Sequence, residues 1–371
     1  MAPISVPLIV IFFAYKTWQS YLRAQFIAST KWVTLEIRLP KEIVKTPIAM
    51  ELVLNAFNQP GEGEKYYEQI FKGQVRLWSS LEIVSINGKV KFMVHIPAKF
   101  RNGVEAQFYA QYPGIEIREV EDYVQNVNYL DTDNDWQIQG ADLVKDPKKP
   151  SILPLKTYYD YYLSLDKNPK EEFKTDPIAS LIEIMGSIPA DHQMWLQILI
   201  MASKSKWKDE AEEAIKKLYE PDKEKFKTVS PQDREKAEVL NRLISKPAFD
   251  VGIRAIYAAK NDRFDKALAG LVGALFSPFN APNYNALKGK STSVNYPWKD
   301  WSGIRVSAMK RRMYDRYRKR SFFYDDRVQA PCTMSAEELA TIWHLPGAVV
   351  GSPALDRIES KSSEAPVNIP I

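Results

Sequence analysis

The sequence predicts an α+β fold, and three observations carry that prediction. Between Trp32 and Val120, stretches of period two and of period 3.6 follow one another as strand, helix, strand, strand, helix, strand. Asn87-Gly88 lies between two alternating runs, the strongest short hairpin signal. Asp176-Pro177-Ile178-Ala179 then repeats Thr46-Pro47-Ile48-Ala49 at a second helix start. This order is that of the ferredoxin-like split βαβ motif, an antiparallel sheet with both helices on one face. The expectation is two tandem ferredoxin-like (βαββαβ) units, residues 29–125 and 126–305, with a helical hairpin inserted at 203–246. Residues 1–28 precede them as a transmembrane anchor, and 306–371 come after them as a basic helix and an extended docking tail.

Each element has its own signal. Pro3 to Tyr15 carries no charge and contains Leu8-Ile9-Val10-Ile11-Phe12-Phe13. That run is shorter than the ~20 residues a straight span needs. It lengthens if Lys16 snorkels and Trp18 and Tyr21 sit at the interface. A signal peptide wants basic residues before the apolar run, whereas here the charges come after it. A core helix is the third reading. Lys16, Arg23 and Lys31 come directly after the run, so the positive-inside rule predicts a single-pass protein of the cytoplasmic membrane with its body in the cytoplasm.

In the first unit, Val33, Leu35, Ile37 and Leu39 alternate with polar residues. Thr46-Pro47 supplies a cap and a proline at the first helical position. Leu81 and Ile83, then Val90, Phe92, Val94 and Ile96, are the hairpin strands. Phe100, Val104, Phe108 and Tyr112 line a helix that Pro113-Gly114 breaks, and Ile115 and Ile117 open the fourth strand. In the second unit, strand-like runs fall at Met194–Met201 and Phe249–Tyr257, with a helix at Asp262–Phe276. Between those strands, Trp207 to Leu218 and Pro231 to Ile244 read as a charged helical hairpin: a solvated appendage standing aside, or a docking arm for a partner or another subunit of a homo-oligomer. Residues 277–305 read as loop.

Composition bounds the chemistry. A chain of 371 residues with 45% hydrophobic content can bury a sizeable core. A net charge of +5 does not by itself argue for nucleic acid. The single cysteine, Cys332, excludes an internal disulfide framework. Asp131 to Asp135 looks like a calcium loop but lacks the glycine and glutamate that loop requires. Lys288-Gly289-Lys290-Ser291-Thr292 invites a phosphate-loop reading, but Tyr284 stands where that motif needs glycine. No paired carboxylates, activated nucleophile or metal cluster stands out, so the expectation is a protein without catalytic residues or cofactor.

Two C-terminal stretches carry the functional reading. Val306–Arg320 is amphipathic, with Lys310, Arg311, Arg312, Arg316, Arg318, Lys319 and Arg320 around an apolar side of Val306, Met309, Met313, Tyr314 and Tyr317. A solvated face, a contact with anionic lipid and a contact with DNA all fit it. Ser335-Ala336-Glu337-Glu338 is a capping-box helix start, and His344-Leu345-Pro346-Gly347 ends that helix. Met334 to Gly347, continued by Ser352-Pro353-Ala354-Leu355, Ser360-Lys361 and Glu364 to Pro370, resembles the segment just before the ATPase core of type IV secretion and conjugation-type ATPases. The N-terminal block, from Tyr15 and Trp18 through Trp32–Pro40 and Ala106–Tyr112 to Glu121-Asp122-Tyr123, resembles a membrane-anchored domain of unknown function from candidate phyla radiation bacteria that accompanies such ATPases. The resemblance implies a non-catalytic, membrane-anchored assembly component that docks a separate ATPase. It makes Glu337, Glu338, His344, Pro346, Leu355 and Ile369 the docking candidates. The alternative is a nucleic-acid-binding module using the basic helix at 306–320.

Overall fold

A computed structural model describes residues 2–40, 45–58, 65–131, 134–163, 175–204, 206–219, 230–293, 298, 300–325, 330–347, 354–355 and 357–358. The first half runs α1 (Ala2–Ser29), β1 (Trp32–Pro40), α2 (Pro47–Leu54), α3 (Tyr66–Phe71), β2 (Ser79–Ile86), β3 (Lys89–Pro97), α4 (Arg101–Gln111) and β4 (Glu116–Val120). The second half runs β5 (Trp136–Lys145), α5 (Pro177–Gly186), β6 (His192–Ala202), α6 (Trp207–Tyr219), α7 (Pro231–Ile244), β7 (Ala248–Lys260), α8 (Lys266–Leu271) and β8 (Leu287–Ser291). The C-terminal part adds α9 (Ile304–Arg318), β9 (Cys332–Ser335), α10 (Ala336–Ile342) and β10 (Arg357–Ile358).

The fold is mixed α+β around one antiparallel sheet. In the first half the strands lie in the order β4-β1-β3-β2, and in the second β6-β7-β5-β8. Each half therefore places its fourth strand beside its first, its first beside its third, and its third beside its second. The halves meet where β2 pairs antiparallel with β6, Ser79 opposite Ile200 through Ile86 opposite Gln193. β9 extends the start of β7, and β10 lies parallel to the end of β1. The central strands are buried on both faces, which explains why β6 reads as an apolar run with little alternation.

One face carries the main core. Leu35, Ile83, Phe92, Leu196, Ile253 and Tyr257 pack there beneath residues of α2, α4, α5 and α10. The short α10 sits between the halves: it packs on both α2 and α5. Trp343, directly after it, meets Phe92 and Phe108 edge to ring and donates its indole N–H to the Glu82 carbonyl. The other face is covered by α9, whose Met313, Tyr314 and Tyr317 pack on Val84, Met93, Trp195 and Ile256. Glu82 is buried in that layer. It accepts from Arg320, Ser80, Gln197 and the Tyr123 hydroxyl, so its charge is paired and its lone pairs are used.

Local signals are realised closely. Asn87 and Gly88 both take positive φ, 55° and 78°, as a two-residue hairpin of the mirror type requires. Ser335 and Glu338 form the full capping box, and Ser230 and Asp176 cap their helices by side-chain acceptance. Thr46 occupies the corresponding cap position of α2 without a side-chain hydrogen bond.

Four expectations are corrected. A helix does cover the N-terminal segment, but none of the described helices is long and apolar enough to cross a membrane. Its uncharged run ends at Tyr15, and Lys16 and Arg23 interrupt the rest of the helix. The inserted hairpin does not stand aside. Trp207, Ala237, Leu240 and Leu243 are buried on its inner side, and Arg242 and Lys246 reach Glu337 of α10. The region 277–305 contains β8, an edge strand whose one buried residue, Leu287, leaves no alternation to read. It carries Lys288-Gly289-Lys290, and the glycine has a packing reason: a Cβ on Gly289 would lie 2.5 Å from the Gly273 Cα. The helix expected at Asp262–Phe276 is shorter, ending at Leu271 before a 3-10 turn.

Candidate functional site

The surface feature least expected of a self-contained body is α1. Val6, Leu8, Ile9, Val10, Ile11, Phe12 and Phe13 are each 54–63% exposed. At 100° per residue, six consecutive apolar side chains from Leu8 to Phe13 point to every side of the helix. A contiguous exposed apolar surface of this kind marks an interaction site. Its lower end is tied down. Leu22, Arg23, Phe26 and Ile27 are half-buried, and the Leu22 backbone approaches so closely that a Cβ on Gly73 would lie 2.3 Å from its carbonyl carbon. α3 ends two residues before Gly73 and exposes Tyr66, Tyr67 and Phe71. α1 itself exposes Tyr15, Trp18 and Tyr21 between its apolar end and this tied-down part.

Between the lower half of α1 and the C-terminal half of α9 lies a cleft of about 720 Å³. Arg23, Arg312, Arg316 and Lys319 line it together with Asp315 and Asp325, while Ala24, Ile27, Trp78 and Phe322 form apolar wall. Arg316 is held by Asp325 at 2.9 Å and Lys319 by Asp315 at 2.7 Å. A second cleft of about 260 Å³ shares Arg23 and Tyr324 with the first and adds Arg76 and Lys204. The Tyr324 hydroxyl donates to the Arg76 carbonyl, and its burial raises its pKa.

The basic helix is thus divided. Arg312, Arg316 and Lys319 face the cleft. Arg311 donates to the Leu130 carbonyl at 2.8 Å, and Arg318 pairs with Asp315 at the surface. Lys310 lies over the Phe264 ring, and burial lowers its pKa. Arg320 is corrected as a contact for an anionic partner: it is buried, in a left-handed conformation, with its guanidinium between Glu82 and Asp122. Its terminal position made it look like the last member of a surface row.

The proposed docking residues of the C-terminal segment also turn inward. Glu337 is fully buried and accepts from Thr157, Arg242 and Lys246. Glu338 is 1% exposed, salt-bridged to Lys145 at 3.1 Å and closing the capping box. His344 is buried, with one ring nitrogen 2.9 Å from the Ala340 carbonyl and the other 3.1 Å from Asp176. Pro346 is buried, and Leu355 is buried where the chain bridges to Val90. All five are buried, and Glu337, Glu338 and His344 spend their polar atoms on partners within the chain. Ile369 and the tail beyond 358 lie outside the described residues.

Elsewhere, burial raises the Cys332 thiol to about 11, so the single cysteine is held as the neutral thiol. Among the described residues no group of three or more histidine, cysteine or acidic side chains is placed to hold a metal. Reading the chain in order misses Arg76 and Lys204, and no local signal could show them: each is one basic residue in a connection, and only folding brings it beside Arg23.

A search of curated proteins returns no match to this chain. A family model does match, over residues 21–357, from the lower half of α1 to β10, and it is described as Domain of unknown function (DUF8128). With its whole body inside that match, the chain belongs to this uncharacterised domain family.

Proposed function

We propose that this chain is a non-catalytic, membrane-associated scaffold of a type IV secretion or conjugation-like translocation machine, on which a separate ATPase docks. The observation that carries the membrane part is the all-round exposure of the apolar end of α1. A groove on a partner would cover one side of such a helix, whereas lipid covers all sides. The apolar run from Val6 to Phe13 rises about 12 Å at 1.5 Å per residue, so it enters the bilayer without crossing it. The aromatic rings at the helix base suit the headgroup level, and the basic residues below them suit a body on the cytoplasmic side.

The scaffold part is supported by the strand order, which repeats in the two halves as the reading of two ferredoxin-like units joined edge to edge expects. It is also supported by the resemblance of Met334 to Gly347 to the segment preceding translocation ATPases. Because α10 is locked into the seam, a load borne by the chain leaving it is carried to both halves.

Flotation of the full chain with lipid vesicles tests the membrane part. Replacing Ile9, Ile11 and Phe12 by serine is expected to abolish flotation, and flotation that survives overturns the insertion. For the docking part, complexes are purified from detergent-solubilised membranes. Recovery of a Walker-motif ATPase is expected, and a complex without one overturns it.

A further inference from the structure

The cleft between α1 and α9 combines three properties. It is roomy, about 720 Å³. It is amphiphilic, lined by Ala24, Ile27, Trp78 and Phe322 as well as by charged groups. It is also positive: among the described residues four cationic and two carboxylate side chains line it, an excess of two positive charges. Those two can be identified. Arg316 and Lys319 have Asp325 and Asp315 as partners. Arg23 and Arg312 have no carboxylate partner among the described residues.

Two arginines free to fork onto one group are the recognition chemistry of a phosphate, whose oxygens accept two parallel N–H bonds from each guanidinium. Position then selects the carrier of that phosphate. The cleft is walled by α1 itself. Arg23 lies about 15 Å along the helix from Phe13, at 1.5 Å per residue, and about 10 Å from Lys16. A nucleic-acid backbone presents phosphates in a row and needs an open basic face. Here the outer row of α9 is interrupted by Asp315, which takes Arg318 as well as Lys319. A lipid instead brings one phosphate with an apolar tail, matching a basic pocket with an apolar wall at the foot of an apolar helix.

We infer that the α1–α9 cleft binds the phosphate of an anionic phospholipid headgroup, with Arg23 and Arg312 as its ligands. This rests on the membrane association proposed above and adds a lipid preference to it. The acyl chains run along the apolar stretch of α1 from Leu8 to Phe13, and Arg316 and Lys319, held by their aspartates, line the cleft beside the phosphate.

The test is flotation of the full chain on phosphatidylcholine vesicles with and without phosphatidylglycerol, comparing the natural chain with Arg23→Gln/Arg312→Gln. Each arginine at an anionic surface is worth about five-fold in binding, so the double variant is expected to lose about 30-fold of the preference for anionic vesicles. Binding to neutral vesicles is expected to stay unchanged. Lys216→Gln/Lys217→Gln, in α6, removes the same charge elsewhere and is expected to keep the preference. Arg312→Gln alone, at an exposed position, gives the same direction without risk to folding. A preference that survives the double variant, or that falls equally in the α6 variant, overturns the site. Displacement by millimolar inorganic phosphate, or loss of duplex DNA binding in place of vesicle binding, assigns the arginines to another phosphate and also overturns it. If the natural chain floats on neither vesicle, the membrane reading itself has failed. If it floats on both without preference, only the lipid site has.

Discussion

The two halves of the sheet make the same connection by opposite means. In the first, β2 turns into β3 through Asn87 and Gly88 alone. In the second, residues 203–247 intervene between β6 and β7, and yet those strands pair along their whole length, Ala202 opposite Phe249 through His192 opposite Ala259. Loop length costs little where neighbouring strands already fix the pairing, since closure entropy grows only slowly with length. The insertion is then made part of the structure by charge. Lys246, just after α7, lies 2.8 Å from Glu51 of α2 and 2.7 Å from Glu337 of α10, so the hairpin clasps the first half to the C-terminal helix. The short turn is held to the second half too: the Asn87 side chain accepts from the Asp191 backbone, just before β6.

The largest effect is expected at the clasp. Arg242→Met/Lys246→Met leaves the Glu337 carboxylate buried with Thr157 as its remaining side-chain donor among the described residues. A loss of about 3–5 kcal/mol is expected in urea unfolding, the cost of stranding a buried charge. A change below about 1 kcal/mol would mean the hairpin is an appendage after all. Next comes the apolar contact under α7. Leu243 is fully buried against Trp207 and Val239, and Leu243→Ala is expected to cost about 2–5 kcal/mol. A cost near zero would show that the hairpin frays freely.

In the first half the corresponding test is Gly88→Ala. The position has φ of 78°, and a Cβ there would lie 3.0 Å from the Gly186 and Ile188 carbonyls. A loss of about 1–2 kcal/mol is expected from the left-handed backbone alone, and more if those carbonyls do not yield. Thermal unfolding of the variant reads it directly.

The smallest effect at neutral pH is expected at His95. Its ring stacks on Trp32, its Nδ1 lies 2.9 Å from the Thr34 hydroxyl, and its pKa is held well below 6.5 by burial, then by Arg320, with Asp122 opposing. The unfolded chain therefore binds more protons once pH falls below about 6.5, so stability falls with decreasing pH from there and is unaffected above it. His95→Asn is expected to flatten that acid slope. An unchanged slope between neutral pH and pH 5 would show that His95 does not titrate between the two states.

The features legible in the chain alone are those that short-range physics writes into neighbouring residues. The strands of the first half come from alternation, the hairpin from the φ > 0 tolerance of Asn87 and Gly88, and the helix starts from Asp176-Pro177, Ser230-Pro231 and Ser335 with Glu338. Each such signal needs only contacts within a few residues, so no tertiary knowledge is required to read it. Which edges meet and which charges face inward was settled only on folding. The pairing of β2 with β6 joins residues more than a hundred apart, and nothing in either strand names its partner. Glu337, Glu338 and Arg320 read as surface charges because charged residues usually are. They are buried because Lys145, Lys246, Arg242, Glu82 and Asp122 arrive from distant segments to neutralise them. In the same way Arg23 and Arg312 share one cleft only because α9 lies across the sheet against the foot of α1. A charge's partner is set by through-space distance, which the local sequence does not encode.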